Sequence, residues 1–238
     1  MANNFYKPGE ERSVKVNDLF AKIAPRYDLI NDLQSFGLHR YWKRRLLELT
    51  KLKPGERALD VCCGTGDIAI RLADTGAEVV GLDFSKPMLE VAKRRRSLES
   101  GIQNPTFLEG DAQNLPFDDA TFAVATVGYG LRNLASWERG LEEMWRVTKP
   151  GGRLLVLDFG KPDNALWRKI YFAYLRWFVP IFGKLFCGDS QTHAYILESL
   201  KNYPAQQGVV GKMQKLNCKN IQIVIFLGGV MSINYGEK

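Results

Sequence analysis

The chain has 238 residues, against roughly 100–200 for a typical domain, which points to one domain with helical additions rather than a string of modules. Apolar residues make up 45% and charged residues 25%, proportions that exclude a disordered chain or a fibrous repeat. A net charge of +7 is compatible with nucleic acid, an anionic membrane surface or no charged partner, so charge alone selects none of them.

The opening MANNFYKPGE is polar, without a cationic-apolar leader, and the four cysteines contain no C-x-x-C pair. Both features predict a reducing, cytoplasmic setting and no metal site. From 17 to 50 a helical apolar pattern is broken at Pro25 and Gly37, leaving pieces at Asp18–Ala24, Tyr27–Leu33 and Leu38–Leu49. The basic runs Lys43-Arg44-Arg45 and Lys93-Arg94-Arg95-Arg96 read as solvated helix faces.

After the turn Lys53-Pro54-Gly55 the character changes. Strands are predicted at 57–62, 78–83, 106–111, 122–127 and 153–159. Between them lie helices at Asp67–Ala73, Met88–Leu98 and Leu134–Val147. Continuous apolar runs alternating with helices predict an α/β fold whose parallel sheet is covered on both faces. Residues 163–186 hold eight aromatics, but Arg168, Lys169, Arg176, Pro180 and Lys184 interrupt them, so they are not a membrane span. A core-facing helix is the favoured reading there, a helix resting on a bilayer the other. Residues 189–217 look helical, and 222–235 look like two closing strands meeting at Gly228-Gly229. The expected organisation is a single domain: a helical cap (1–52), a cofactor-binding core (53–160), then acceptor-side helices and closing strands (161–238).

Chemistry concentrates in DVCCGTGD (60–67). Between a strand and a helix, Gly64 and Gly66 let the backbone pass close to a ligand, and the helix start offers unpaired N–H groups. Asp83 ends the second strand, 17 residues after Gly66, where a carboxylate can accept from both hydroxyls of a ribose. Asp60, Asp83 and Asp111 all fall at strand ends, the ligand edge of such sheets. Gly64-x-Gly66-x-x-Ala69 also passes as a dinucleotide fingerprint, so a nicotinamide ligand and a plain tight turn stay open at this point.

DVCCGTGD, GLDFS (81–85), GDAQNLPF (110–117) and KPGGRLLVLDF (149–159) resemble successive motifs of the class I S-adenosylmethionine-dependent methyltransferases. More narrowly, IAPRYDLINDLQSFGLHRYWKR (23–44), VGYGLRN (127–133), AYILESLKNYP (194–204) and the closing GGVMSINYGEK resemble the ubiquinone/menaquinone biosynthesis C-methyltransferases of the demethylmenaquinone methyltransferase type. That resemblance implies a Rossmann-like, mostly parallel seven-stranded sheet, S-adenosyl-L-methionine as cofactor and a prenylated quinol as methyl acceptor. It maps cofactor contacts to Asp60, Gly64, Thr65, Gly66, Asp83, Asp111, Ala112 and, through its backbone, Gly128. Leu82, Phe84 and Met88 either flank the adenine or pack in the core.

The resemblance also implies chemistry in the loop after the fourth strand. Arg132 is expected to stabilise a developing phenolate, and Asn133 to position the acceptor hydroxyl or to cap the helix that follows. Asp28 is a candidate base, with Tyr27 closing over the site. Both histidines can serve as base on chemical grounds. His39, in the basic LHRYWKRR run, reads as surface, whereas His193 and Tyr195 are placed at the acceptor pocket. The aromatic segment would roof that pocket and touch the inner face of a membrane, and leftover aromatic surface would favour a homodimer. An RNA methyltransferase is the rival enzyme. Amino-group methylation of bases commonly uses a [D/N/S]-P-P-[Y/F/W] tetrad where this chain has Gly128-Tyr129-Gly130-Leu131, and no nucleic-acid-binding module is recognisable. A non-catalytic, membrane-associated subunit that kept the cofactor fold is the third class.

Overall fold

The computed structural model describes residues 24, 27–98, 104–181 and 191–238, with the backbone alone at 97–98 and 191–195. The expected helix over Asp18–Ala24, apart from Ala24 itself, and the end of the aromatic run lie outside the described residues. The apolar runs form strands β1 (Arg57–Val61), β2 (Glu78–Asp83), β3 (Thr106–Glu109), β4 (Phe122–Gly128), β5 (Thr148–Phe159), β6 (Lys219–Phe226) and β7 (Met231–Glu237). The helices are α1 (Tyr27–Ser35), α2 (Leu38–Thr50), α3 (Asp67–Ala73), α4 (Lys86–Leu98), α5 (Trp137–Val147), α6 (Ala165–Trp177), α7 (Gln191–Asn202) and α8 (Ala205–Lys215). Pro204 separates the last two, in a stretch whose sequence reads as continuously helical.

The seven strands form one sheet in the order β3-β2-β1-β4-β5-β7-β6. β1 to β5 run parallel, and β7 lies antiparallel between β5 and β6. Successive residues along a strand face opposite sides of the sheet, which splits the core in two. Ala58, Val124 and Leu155 meet Trp42, Leu46 and Leu72 of α2 and α3 on one face. Leu59, Ala125, Leu154 and Val156 meet Leu141, Met144 and Met213 of α5 and α8 on the other. The strand order reverses between β1 and β4, so the carboxyl ends of these two strands open a crevice.

Three expectations are corrected. α5 begins at Trp137, not Leu134, and its cap is Ser136, whose Oγ accepts from Arg139 N at 3.1 Å. Asn133 instead closes a 3-10 turn over Leu131–Asn133. The aromatic helix α6 is not a core helix: only Tyr171 and Leu175 are buried, against Ile196 and Leu200 of α7. Leu166, Ile170 and Trp177 stay exposed, because α6 roofs the end of the sheet instead of lying on its face. Finally, Lys43 is not on a solvated face. It is buried, and its Nζ donates to Asp67 Oδ2 at 2.7 Å.

Candidate active site

The turn after β1 takes Cys62 to φ 54°, Gly64 to φ 55° and Gly66 to φ 79°, a left-handed path that bends the chain from strand into α3. At Gly66 a Cβ would lie 2.7 Å from Phe107 Cζ, so glycine is required there by packing against β3 as well as by φ. The turn delivers the Gly64 N–H to Asp83 Oδ2 at 2.8 Å, and the Ser85 N–H reaches Asp83 Oδ1 at 2.9 Å. Burial raises the Asp83 carboxyl above its ordinary range, while these backbone donors act the other way. Each carboxylate oxygen has about two acceptor sites, so both keep capacity for a ligand's hydroxyls.

Around Asp83 lies a cleft of about 550 Å³ whose wall includes Cys62, Phe84, Asp111, Ala112, Asn133 and Leu134. A narrower extension, lined by Gly64, Met88, Gly128 and Tyr129, continues past Asp83 toward Tyr27. Asp111 Oδ1 accepts from Gln113 N at 2.8 Å. Asn133 Oδ1 is buried without a hydrogen-bond partner, while its Nδ2 reaches Tyr129 O at 3.4 Å. Carboxylates, an unpartnered amide oxygen and the apolar side chains of Phe84, Met88 and Leu134 make a cleft of acceptors with a flat apolar wall. That donor set fits a cationic ligand bearing a cis-diol and a planar base, as S-adenosyl-L-methionine does.

Not every expected contact faces this cleft. Asp60 sits beneath it, buried, accepting from Thr126 Oγ1 at 2.8 Å, with Oδ2 unpartnered and its pKa pushed up to about 7 by burial. Thr65 is buried with its hydroxyl turned toward α1, donating to the Asp28 carboxylate at 3.3 Å. Asp28 also accepts from Arg95 Nη1 at 2.7 Å. Asp28, expected as a base, is not among the residues lining the cavities of this site; with Arg95 it latches α1 across the glycine turn.

Beyond Tyr27 and Tyr129, which line both spaces, opens a second cavity of about 380 Å³ with mostly apolar walls. Trp42, Phe159, Trp167, Tyr171 and Tyr174 contribute to it, so the aromatic helix does roof this space. Arg132 is on its wall, with both its side chain and that of Asp158 3% exposed. The guanidinium donates from Nη1 to Asp158 Oδ1 at 2.7 Å and to Tyr129 O at 2.5 Å, and lies 4.6 Å over the Phe159 ring. Its charge is thus matched within the protein. Asn133, expected beside the acceptor hydroxyl, lines the first cleft and its extension toward Tyr27 and Tyr129. The side chains of His193 and Tyr195 lie outside the described residues.

His39 is the residue the sequence reading misplaced. It is buried, lines the second cavity, and contacts Asp32 Oδ1 through Nε2 at 2.8 Å. A signal was present. Trp42, Leu46 and Leu49 mark the core stripe of α2, and at helical spacing His39 and Lys43 fall on that same stripe. The basic neighbours Arg40, Arg44 and Arg45 masked it.

Residues 8–238 match the ubiE/COQ5 methyltransferase family. The chain belongs to that family. It is 40% identical over 235 residues to the ubiquinone/menaquinone biosynthesis C-methyltransferase UbiE of Azotobacter vinelandii, covering 97% of this chain and 92% of that one. It is 36% identical to the demethylmenaquinone methyltransferase of Bacillus cereus, over 96% of this chain and 98% of that one. Among solved structures, a SAM-dependent methyltransferase from Thermotoga maritima shares the fold with a TM-score of 0.62 at 20% identity, over 93% of this chain and 99% of that one.

Proposed function

We propose that this family member transfers a methyl group from S-adenosyl-L-methionine to a ring carbon of a prenylated quinol, converting a demethylmenaquinol to a menaquinol or methylating a ubiquinol precursor. The observation that carries the reading is the join at Tyr27 and Tyr129 between an acceptor-rich cleft and an aromatic-walled cavity. When bound, the cofactor supplies an electrophilic methyl group. Asp83, Asp111 and Asn133 hold it by hydroxyl and amino groups. The cavity walls fix the acceptor ring and exclude water, and orientation of this kind reaches effective molarities of about 10⁵–10⁸ M. Arg132, held by Asp158, presents a fixed cationic edge to the charge that develops on a deprotonated ring oxygen.

Exposed Phe36, Leu38, Trp167 and Leu227 line the cavity, and Trp177, Phe178 and Ile181 continue the apolar surface at and beyond the end of α6. No helix among the described residues is long and apolar enough to cross a membrane. We read this surface as a peripheral bilayer contact that lets the isoprenoid tail stay in lipid while the ring enters the cavity. Arg168, Lys169 and Arg176 add about 1 kcal/mol each near anionic headgroups. The test of the function is methyl transfer from radiolabelled S-adenosylmethionine to a demethylmenaquinol with a short prenyl tail, run beside total RNA. Label in the quinol alone supports the reading, and label in RNA alone overturns it. Flotation with anionic vesicles tests the membrane contact, which fails if Trp177→Ser with Phe178→Ser floats as the unaltered protein does.

A further inference from the structure

Among the described residues, buried side-chain atoms without a hydrogen-bond partner gather on residues lining the acceptor cavity, including these five: Asn31 Nδ2, Gln34 Nε2, His39 Nδ1, Tyr129 Oη and Tyr171 Oη. An unsatisfied buried polar atom costs about 1–3 kcal/mol, so a cluster on the walls of one cavity points to a ligand that satisfies it. Four of the five are donors as placed. His39 Nδ1 is the exception, and its protonation follows from its partner.

Arg40 donates to both oxygens of Asp32, at 2.7 and 2.6 Å, and holds that carboxyl down at about 2. Asp32 is therefore ionised and can only accept. The hydrogen in the His39–Asp32 bond must sit on Nε2. Burial lowers the His39 pKa, so the ring is neutral at pH 7 and Nδ1 carries a lone pair. The groups facing the ring are Asp32, Lys43 and Asp67, together with Arg132, Tyr129, Tyr171 and Tyr174 from the other cavity walls. Lys43 and Asp67 are paired with each other at 2.7 Å, and Arg132 with Asp158; Asp32, although shared with Arg40, is the carboxylate in direct contact with the ring and so the one placed to meet a charge formed on the imidazole.

We propose that His39 is the general base of the reaction, taking the acceptor's ring-hydroxyl proton at Nδ1, with Asp32 as its positioning residue. The proposal rests on the quinol reading above. The O–H bond breaks as its proton passes to Nδ1, and the electron pair left on oxygen drives the ring carbon onto the methyl carbon. The pair of the methyl–sulfur bond stays with sulfur. The ring carbon's own hydrogen then leaves to water as a proton, restoring aromaticity, and His39 returns its proton to the oxygen. One proton is released overall.

The experiment uses the full chain with the short-tailed demethylmenaquinol. His39→Asn keeps an oxygen near the Nδ1 position but cannot take the proton. It should lower kcat by about 10²–10⁴-fold, as loss of a general base does. Cofactor affinity by calorimetry should change by less than about twofold, since His39 does not line the cofactor cleft. The acid limb of kcat, below 6.5 in the unaltered enzyme, should vanish in the variant. Asp32→Asn should move that limb lower, because it removes the carboxylate that favours the protonated ring. If His39→Asn loses cofactor binding it has misfolded, and Asp32→Asn carries the same pH readout. A second readout needs no turnover. The chain has two histidines, so imidazole nitrogen spectra of the ligand-free protein, assigned with a His193 variant, should show the Nε2–H tautomer for His39 near pH 7.5. A kcat within about threefold of the unaltered enzyme, an unmoved acid limb, or the Nδ1–H tautomer overturns the proposal. If the unaltered enzyme leaves the quinol unlabelled, the quinol reading falls first and this proposal with it.

Discussion

Replacing Asp158 by asparagine tests how the reactive loop is held. The carboxylate accepts from the Arg132 guanidinium at 2.7 Å and from the backbone N–H groups of Arg132 and Phe159 at 3.2 and 2.8 Å. Asparagine has the same shape but keeps only one oxygen, so an N–H₂ group must face one of these donors while the guanidinium loses its counter-charge. Breaking a buried pair from one side costs about 3–5 kcal/mol, and convergence of three donors places this case within that range. Against a total stability of about 5–15 kcal/mol, the loss is large and directly measurable by urea unfolding of the ligand-free chain. Arg132→Met should cost a similar amount, and the double variant less than the sum by about 0.5–3 kcal/mol. Variants that stay folded should bind cofactor normally and turn over slowly, because Arg132 lines the acceptor cavity and not the cofactor cleft. A loss below about 1 kcal/mol, the value of an exposed pair, would refute the argument and mean that water reaches the pair.

Asp83→Asn should weaken cofactor binding by about 2–4 kcal/mol in calorimetry, since hydrogen bonds to a charged group contribute about 1.5–3 kcal/mol each; unchanged affinity removes Asp83 from the ribose site. Gly66→Ala should destabilise the fold by about 1–3 kcal/mol, combining a left-handed φ of 79° with a Cβ 2.7 Å from Phe107 Cζ. A variant melting as the unaltered protein does would contradict the packing account. Asp60 sets a pH dependence. Its carboxyl ionises near 3.8 when exposed and near 7 in the fold, so the folded chain retains a proton that the unfolded chain has released. The Asp60 contribution to ligand-free stability should therefore fall as pH rises from about 4 to 7, by on the order of 4 kcal/mol. Asp60→Asn should flatten that slope, and a difference between the two proteins that stays constant across the window would sink the idea.

The parallel core was largely legible because its signals are local. β2 and α3 fall at the residues expected, since an aspartate ends the strand and the glycine turn starts the helix. The gathering of Asp83, Asp111 and Gly64 along one cleft and its extension was legible for the same reason, since all three lie at or just after strand ends. What failed was what depends on packing between distant segments. Thr65 and Asp28 hydrogen-bond to each other and to Arg95 of α4, an arrangement between distant segments that no local pattern announces. The start of α5 was set by Ser136, a cap whose competition with Asn133 is decided by the 3-10 turn before it. Burial of His39 follows from α2 lying against the sheet, a tertiary fact that a run of basic neighbours hides.

The two tyrosines at the join have a kinetic consequence. The cofactor cleft opens among Asp111, Gln113 and Ala135, whereas the acceptor cavity opens among Phe36, Trp167, Ile170 and Leu227. Among the described residues the two spaces share only Tyr27 and Tyr129 through the narrow extension, so on the proposed reading only the methyl group has to cross between them. On that reading, spent cofactor can be exchanged while the acceptor ring stays seated. Steady-state patterns should show no compulsory order of addition, and a methylated product need not leave before the next cofactor arrives.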